Sequence, residues 1–269
     1  MKNKQDRMLY IKLFILIVAV AALVSTTYKI FLLVKDRSFR FDTFNVMVMG
    51  EDVHVVGINT QKKQVGILEF NGARNSFSRK DILSASITVG VPLDGIIISI
   101  RPENLVDRNR DFPTFIQTLS FLLEDEKYVF HDINKFDLVK LYFISRLISW
   151  EEKNYEAAQD QLEIDSKIGE KFYDSIIFNE KTSIEVINST DINGLGGRFG
   201  FILSNLGMNV ISIRDGVDKK TQILANNLGV ITLRRIEDLL KLKAKKEGDA
   251  GIADVTVNLG KDILEKVEE

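Results

Sequence analysis

The chain has 269 residues, 45% hydrophobic and 28% charged with three prolines, a composition that excludes a disordered polymer and allows two small folded domains. A net charge of −2 gives no global basic field, so nucleic acid is not an expected partner. Cysteine is absent, which removes disulfides, thiolate metal sites and a cysteine nucleophile.

The first feature in chain order is an apolar segment at 13–34, broken only by Ser25, Thr26, Thr27 and Lys29. A spanning helix needs about 20 mostly apolar residues, and this segment meets that length. Lys12 and Lys29 stand towards its ends, where their stems can snorkel to the interface. A signal peptide cut after Ala19-Val20-Ala21 would leave ALVSTTYKIFLLV as a greasy new terminus, so an uncleaved transmembrane helix is expected. Basic residues flank both ends (Lys2, Lys4, Arg7 and Lys12 against Lys35, Arg37 and Arg40), so charge alone does not orient it. Its position near the start favours a short cytoplasmic tail at 1–12 and an exported body. The expected location is the cell membrane, single-pass, with membrane lipid as a partner through 13–34.

Strand patterns follow. FNVMVMG and VHVVGIN are β-branched and apolar, TQKK reads as a turn, and QVGILEF is a third strand. SRKDILSASITVG predicts a helix with Ser78 as cap, and VPLDGIIISI a buried strand. FPTFIQTLSFLLEDE and DINKFDLVKLYFISRLISW predict two helices, the second capped by Asp132. Together, 42–150 is expected to form one α/β domain. The polar stretch 151–173 is expected to be an exposed helix and linker, with a second domain over 174–269.

That second domain has the tidier pattern. TSIEVIN predicts a strand and STDINGLGGRFGFILSNLG a Gly-rich turn opening a helix; MNVISIRDG and KKTQILANN predict two more strands. TLRRIEDLLKLKAKKEG predicts a helix with Thr232 as cap and Gly248 at its end, and ADVTVNLGKDI a last strand. The order βαββαβ makes a small α/β domain.

Candidate chemistry is sparse. The glycines at 194, 196 and 200 approach a dinucleotide fingerprint, but the third falls one residue late, with Phe199 in its place. Nucleotide binding is therefore not expected. Gly196, Gly197 and Arg198 remain a possible anion contact, because the amides of a helix N-terminus can hold a negative group. Gly260-Lys261-Asp262 lacks the upstream glycine and following Ser/Thr of a phosphate loop, and reads as a terminator of the last strand. The two histidines, His54 and His131, are separate and fit packing or surface roles rather than a triad or a zinc site. No metal site and no cofactor are expected.

The segment IEVINSTDINGLGGRFGFILSNLGMNVISI, followed by ADVTVNLGKD, resembles the C-terminal domain of LytR/CpsA/Psr-type cell-envelope proteins over 183–263. The matching positions are Val186, Asn188, Thr190, Gly194, Gly207, Met208 and Val210, then Asp254, Val255, Val257, Leu259, Gly260 and Asp262. The region 42–150 is similar, more faintly, to a shortened LytR/CpsA/Psr domain. Intact family members transfer lipid-linked glycopolymers to peptidoglycan with arginines, aspartates and a divalent metal. Here Glu51-Asp52 has no arginine before it, Ala73-Arg74-Asn75 stands where Pro-Arg-Asp is wanted, and Arg101 replaces an aspartate. A pyrophosphate needs several cations and a metal needs carboxylates. The resemblance therefore implies a degenerate first domain and a non-catalytic, membrane-anchored binding or interaction protein of a bacterial cell wall or envelope. Its expected partners are a cell-wall polymer or an envelope protein. The alternative is a divergent phosphotransferase using Asp52, Arg74 and Arg101.

Overall fold

The computed structural model describes helical positions between 12 and 28, together with 43–50, 52–62, 64–70, 81–99, 128–134, 137, 138, 153–157, 168, 172–247 and 251–263. All described positions between 12 and 28 are helical with exposed side chains. Positions 13, 22, 26 and 29–34 of the expected span lie outside the described residues. Among the described residues no helix is long and apolar enough to cross a membrane. This segment belongs to a first unit, 1–38; the rest of the chain, 39–269, forms a second.

The second unit contains two mixed sheets. The first has the order β5-β4-β1-β2-β3-β6, built from β1 (Thr43–Met49), β2 (Val53–Asn59), β3 (Gln64–Phe70), β4 (Gly95–Ser99), β5 (Tyr128–His131) and β6 (Lys153–Ala157). β1 and β2 are buried at every position, as expected of strands covered on both faces. On one face Met47, Met49, Val53, Val55, Leu68, Phe70, Ile96 and Ile98 pack with α1 (Ile82–Val89), Ile168 and Phe172. The opposite face carries Phe44, Val46, Val48, Val56, Ile58 and Ile97, also buried.

The three hairpin strands and β4 follow the expected pattern, while two caps and one segment differ. Helix α1 is capped by Asp81, which accepts from the amides of Leu83 and Ser84, and not by Ser78. An Asp three positions nearer the apolar run is simply better placed to reach the free amides. Asp132 has a left-handed φ of 54° and cannot serve as an extended N-cap. Asn134 and Asp137 instead form a reciprocal box, each side chain accepting the other's amide hydrogen at 2.9 and 3.0 Å. Within 151–173, the expected polar helix gives way at Lys153–Ala157 to β6, which pairs in parallel with β3. The expected helix 112–126 and positions 139–150 lie outside the described residues.

The second sheet has the order β10-β9-β11-β7-β8, from β7 (Ser183–Asn188), β8 (Asn209–Asp215), β9 (Gln222–Ala225), β10 (Lys245–Lys246) and β11 (Val255–Leu259). α3 (Leu195–Asn205) and α4 (Ile231–Leu240) cover one face. Their Phe199, Ile202, Leu203, Leu233 and Ile236 form a single core with Ile184, Val186, Val255 and Val257. The expected βαββαβ order is present, with the two-residue β10 added. That addition shortens the expected last helix: α4 stops at Leu240 with Lys241 left-handed, and Lys245–Lys246 pair with β9. Thr232 is not its cap either. The cap comes from a different helix, α2 (Ser175–Glu180), whose Glu180 carboxylate accepts from the Ile231 and Thr232 amides, both at 2.7 Å.

Several contacts among the described residues join the sheets. Asp94, just before β4, takes the Arg235 guanidinium of α4 in a bidentate pair with both side chains buried; the Nη2–Oδ2 distance is 2.9 Å. Asp94 is itself fixed by β1, since its Oδ2 accepts from the Asn45 amide at 2.7 Å and its own amide donates to the Asn45 carbonyl. Burial works against the charge on Arg235, and the Asp94 charge and hydrogen bonds outweigh it, so the pKa lies above the ordinary arginine value. Asn205 of α3 donates to the Gly90 carbonyl at 2.7 Å. Asp174, the N-cap of α2, accepts from the hydroxyl of Thr43 on β1. Leu83 of α1 also enters the core of the second sheet.

Removing one member of a buried ion pair strands the other, at a cost of about 3–5 kcal/mol, whereas a hydrophobic replacement of both is near neutral. Asp94→Asn should therefore lower the unfolding free energy of the full chain by that order, read as a lower urea midpoint. The double variant Asp94→Leu/Arg235→Met should recover most of the loss.

Glu180 gives a pH prediction. Burial pushes its pKa up, but hydrogen bonds from Thr232 and Ile231 outweigh this and hold it below the usual glutamate value. A depressed pKa stabilises the fold above the unfolded pKa, and that stability is lost as pH falls through the lower folded value. Glu180→Gln should be less stable than the parent at neutral pH. The gap should close in acid, as read by denaturation at a series of pH values.

Candidate functional site

The carboxyl ends of β7 and β11 carry the Gly-rich turn and the segment Gly260-Lys261-Asp262. From β7 the chain passes through a tight turn built by Asn188. Its Oδ1 accepts from the amide and hydroxyl of Thr190, at 3.2 and 2.6 Å, and its Nδ2 donates to the Ile192 carbonyl. The Thr190 hydroxyl in turn accepts from the Ile192 amide. The turn ends at Gly194, whose φ of 81° is left-handed and favours glycine there; α3 starts at the next residue.

Gly197 and Arg198 are exposed in the first turn of α3, and Gly196 is buried against Asn188 and Ile213. The anion contact expected here therefore reduces to exposed amides beside one exposed guanidinium. The late glycine, Gly200, has a structural purpose that the fingerprint argument missed. A Cβ at Gly200 would fall within 2.7 Å of Ile213 Cδ1, so this is the residue that lets α3 lie close on β8. Phe199 points the other way and is fully buried in the core.

The strand β11 ends in Gly260-Lys261-Asp262, and these residues clasp the segment before β9. Asp262 Oδ1 accepts from both the amide and the hydroxyl of Thr221, at 2.7 and 2.6 Å. The Thr221 hydroxyl accepts from the Gly260 amide, and the Lys261 amide donates to the Lys219 carbonyl. Lys261 pairs with Asp191 across the Gly-rich turn at 2.6 Å. A Cβ at Gly260 would meet the Thr221 nitrogen at 2.5 Å, so only glycine allows this approach. Inside the clasp, buried Ser189 donates to Asn258 Oδ1, and Asn258 Nδ2 donates to the Lys220 carbonyl. The expectation of a terminator rather than a phosphate loop agrees with this geometry.

At the opposite ends of the same strands, Asp254 Oδ2 accepts from the amide and hydroxyl of Ser183, and the Asp254 amide donates back to that hydroxyl. These bonds from Ser183 hold the Asp254 pKa below the usual aspartate value against the effect of burial. The face turned away from α3 and α4 carries the buried Glu185, which accepts from Arg214 Nε at 2.8 Å and from Ser212.

Of the catalytic candidates only Asp52 falls among the described residues. Asp52 lies in the short turn between β1 and β2, where the Gly50 amide donates to its carbonyl. Arg74 and Arg101 lie outside the described residues. His54 is buried on β2 opposite Glu69 of β3, with Nε2 3.8 Å from Oε1, and His131 ends β5 beside Ile96. Among the described residues no three His, Asp or Glu side chains come together to hold a metal ion.

A two-layer α/β domain clamped at both strand ends by short Asx and Ser/Thr hydrogen bonds is what 183–263 forms. Residues 181–262 match the model of a family described as "LytR cell envelope-related transcriptional attenuator", the LytR C-terminal domain. Among solved structures, similarity is found to TagT bound to LI-WTA, 10% identical, covering 49% of this chain and 91% of that one with a TM-score of 0.33. Similarity is also found to the Lin1025 protein from Listeria innocua, 10% identical, covering 44% of this chain and 83% of that one with a TM-score of 0.31. No curated protein matches the chain.

Gly260→Ala should destabilise the fold by about 1–3 kcal/mol through overpacking against backbone that cannot move aside. Asp262→Ala, which leaves the Thr221 amide and hydroxyl without this acceptor, should cost about 1 kcal/mol at this exposed position. Thermal unfolding of the purified chain reads both.

Proposed function

We propose that this chain is a membrane-anchored, non-catalytic binding or interaction protein of the bacterial cell envelope. Its LytR C-terminal domain would meet a cell-wall polymer or another envelope protein outside the cytoplasm. The observation that carries the reading is the family match at 181–262. The family's cell-envelope description supports the compartment. The segment at 13–34 supports the anchor: its described large apolar side chains are exposed, from Val18 at 50% to Leu23 at 69%. Its Thr27 hydroxyl donates to the Leu23 carbonyl at 2.8 Å, which satisfies a polar group within the helix, as a lipid environment requires.

The non-catalytic part of the reading rests on how the motif residues are used. Asn188, Thr190, Asp254 and Asp262 are the polar side chains at the family positions, and each is engaged in a hydrogen bond that shapes the domain itself. The region 42–150 fits a degenerate LytR/CpsA/Psr-like domain, in which the hairpin β2–β3 stands where intact members carry their motifs.

Topology is tested by thiol labelling, because the parent chain has no cysteine. Val217 is 94% exposed, so Val217→Cys offers a reactive thiol without disturbing the core. A membrane-impermeant maleimide should label it in intact cells once any outer membrane is permeabilised. Labelling only after the cytoplasmic membrane is breached would overturn the exported body.

A further inference from the structure

We propose that Asn193 is a self-modifying residue, converting in the folded chain to aspartate and isoaspartate through a cyclic imide closed by the Gly194 nitrogen. Of the described asparagines, Asn193 alone is followed by glycine. Glycine matters because it has no Cβ to shield its nitrogen from the preceding side chain. Asn193 and Gly194 are both exposed in the turn before α3, and a Cβ at Gly194 would meet nothing within 4 Å. Among the described residues the Asn193 side-chain amide has no hydrogen-bond partner, and the peptide group between Asn193 and Gly194 has none either. The turn is anchored on each side of that group. The Ile192 carbonyl accepts from Asn188 Nδ2 at 3.0 Å, and the Gly194 carbonyl accepts from the Arg198 amide at 3.0 Å. Across the turn itself runs the bond from the Leu195 amide to the Ile192 carbonyl, long at 3.4 Å. The free peptide plane can therefore swing its nitrogen towards Asn193 Cγ without breaking a shorter bond.

Asn188, earlier in the same turn, is the internal contrast. It too is followed by a small residue, Ser189, but its Oδ1 accepts from Thr190 and its Nδ2 donates to the Ile192 carbonyl. The Ser189 amide donates to the Leu259 carbonyl at 2.8 Å. Both the group to be attacked and the attacking nitrogen are thus held. At Asn193 the reaction needs water alone. The Gly194 nitrogen loses its proton to solvent and bonds to Cγ, the Cγ–Nδ2 bond breaks, and the side-chain nitrogen leaves as ammonia, closing a succinimide ring. Water then opens the ring at one of its two carbonyls. Attack at Cγ gives aspartate, and attack at the main-chain carbonyl gives isoaspartate. The product adds a negative charge close in sequence to the Lys261–Asp191 pair, and the isoaspartate form lengthens the main chain of the turn by a carbon.

The test is peptide mapping by mass spectrometry of the purified full chain in detergent, aged in mildly alkaline buffer made with heavy-oxygen water. Digestion in ordinary water then marks as unlabelled any conversion that happens after ageing. Asn193 should appear as both aspartate and isoaspartate, each with heavy oxygen in its new carboxylate, and the aged chain should show a more acidic form on ion exchange. Asn188 should stay intact in the folded chain and convert once urea has removed the bonds that hold it. Gly194→Ala should slow conversion at Asn193 by roughly tenfold, because a Cβ then shields the nitrogen. Should that variant fail to fold, the parent chain aged with and without urea decides the matter. An Asn193 that stays intact in the folded chain but converts in urea would overturn the proposal. So would aspartate without isoaspartate, or an Asn188 that converts as fast as Asn193 in the folded chain.

Discussion

A buried ion pair fixes where the two sheets meet. Placing a carboxylate and a guanidinium in a low-dielectric contact costs several kcal/mol per ion in lost hydration, and only a fixed, bidentate geometry recovers it. That geometry is supplied from both sides. Asp94 is locked to β1 by a reciprocal pair of hydrogen bonds with Asn45, and Arg235 is carried on a helix whose neighbours are core residues. The pair therefore acts as a registration point: β1 and β4 of the first sheet and α4 of the second are held at one relative position. Asp174 reinforces it, because the same carboxylate that caps α2 accepts from Thr43 on β1. The C-terminal domain is thus built onto the first sheet rather than hung from it.

The motif residues tell a related story at smaller scale. Short polar side chains at Asn188, Thr190, Ser183, Asp254, Thr221 and Asp262 sit at the ends of strands, where backbone amides lose their ladder partners. Each of them supplies an acceptor or donor in place of a missing backbone group. A family pattern of Asn, Thr, Gly and Asp around a central sheet is therefore expected from the mechanics of strand termination alone. Such residues define the domain through the ends of its strands.

Much of this was legible in the sequence because it is local. β1, β2, β3, β7, β8 and β11 announce themselves by β-branched runs, and α3 by its apolar spacing after a glycine. What escaped is non-local or polar. β6 is KNYEA, which has no apolar alternation, and its place beside β3 is set by a pairing partner more than eighty positions away. The cap of α4 is Glu180, fifty-one positions from the amide it binds, so the nearby Thr232 looked the better candidate. Arg235 lies 141 positions from Asp94, and no local pattern links the two. At the site, Gly196, Gly197 and Arg198 were correctly placed at a helix start, but the reason for Gly200 needed the position of Ile213, which no periodicity gives.

The buried ion pair and the strand-end clasps explain why β8 can be left bare. A sheet held on one side by α3 and α4 and pinned to a second sheet through α4 does not need its outer strand to be covered for the core to close. Ile184, Val186 and Val257 are already fully buried without any cover on β8. The two half-exposed isoleucines of that strand, Ile211 and Ile213, therefore contribute little to the core of the single chain.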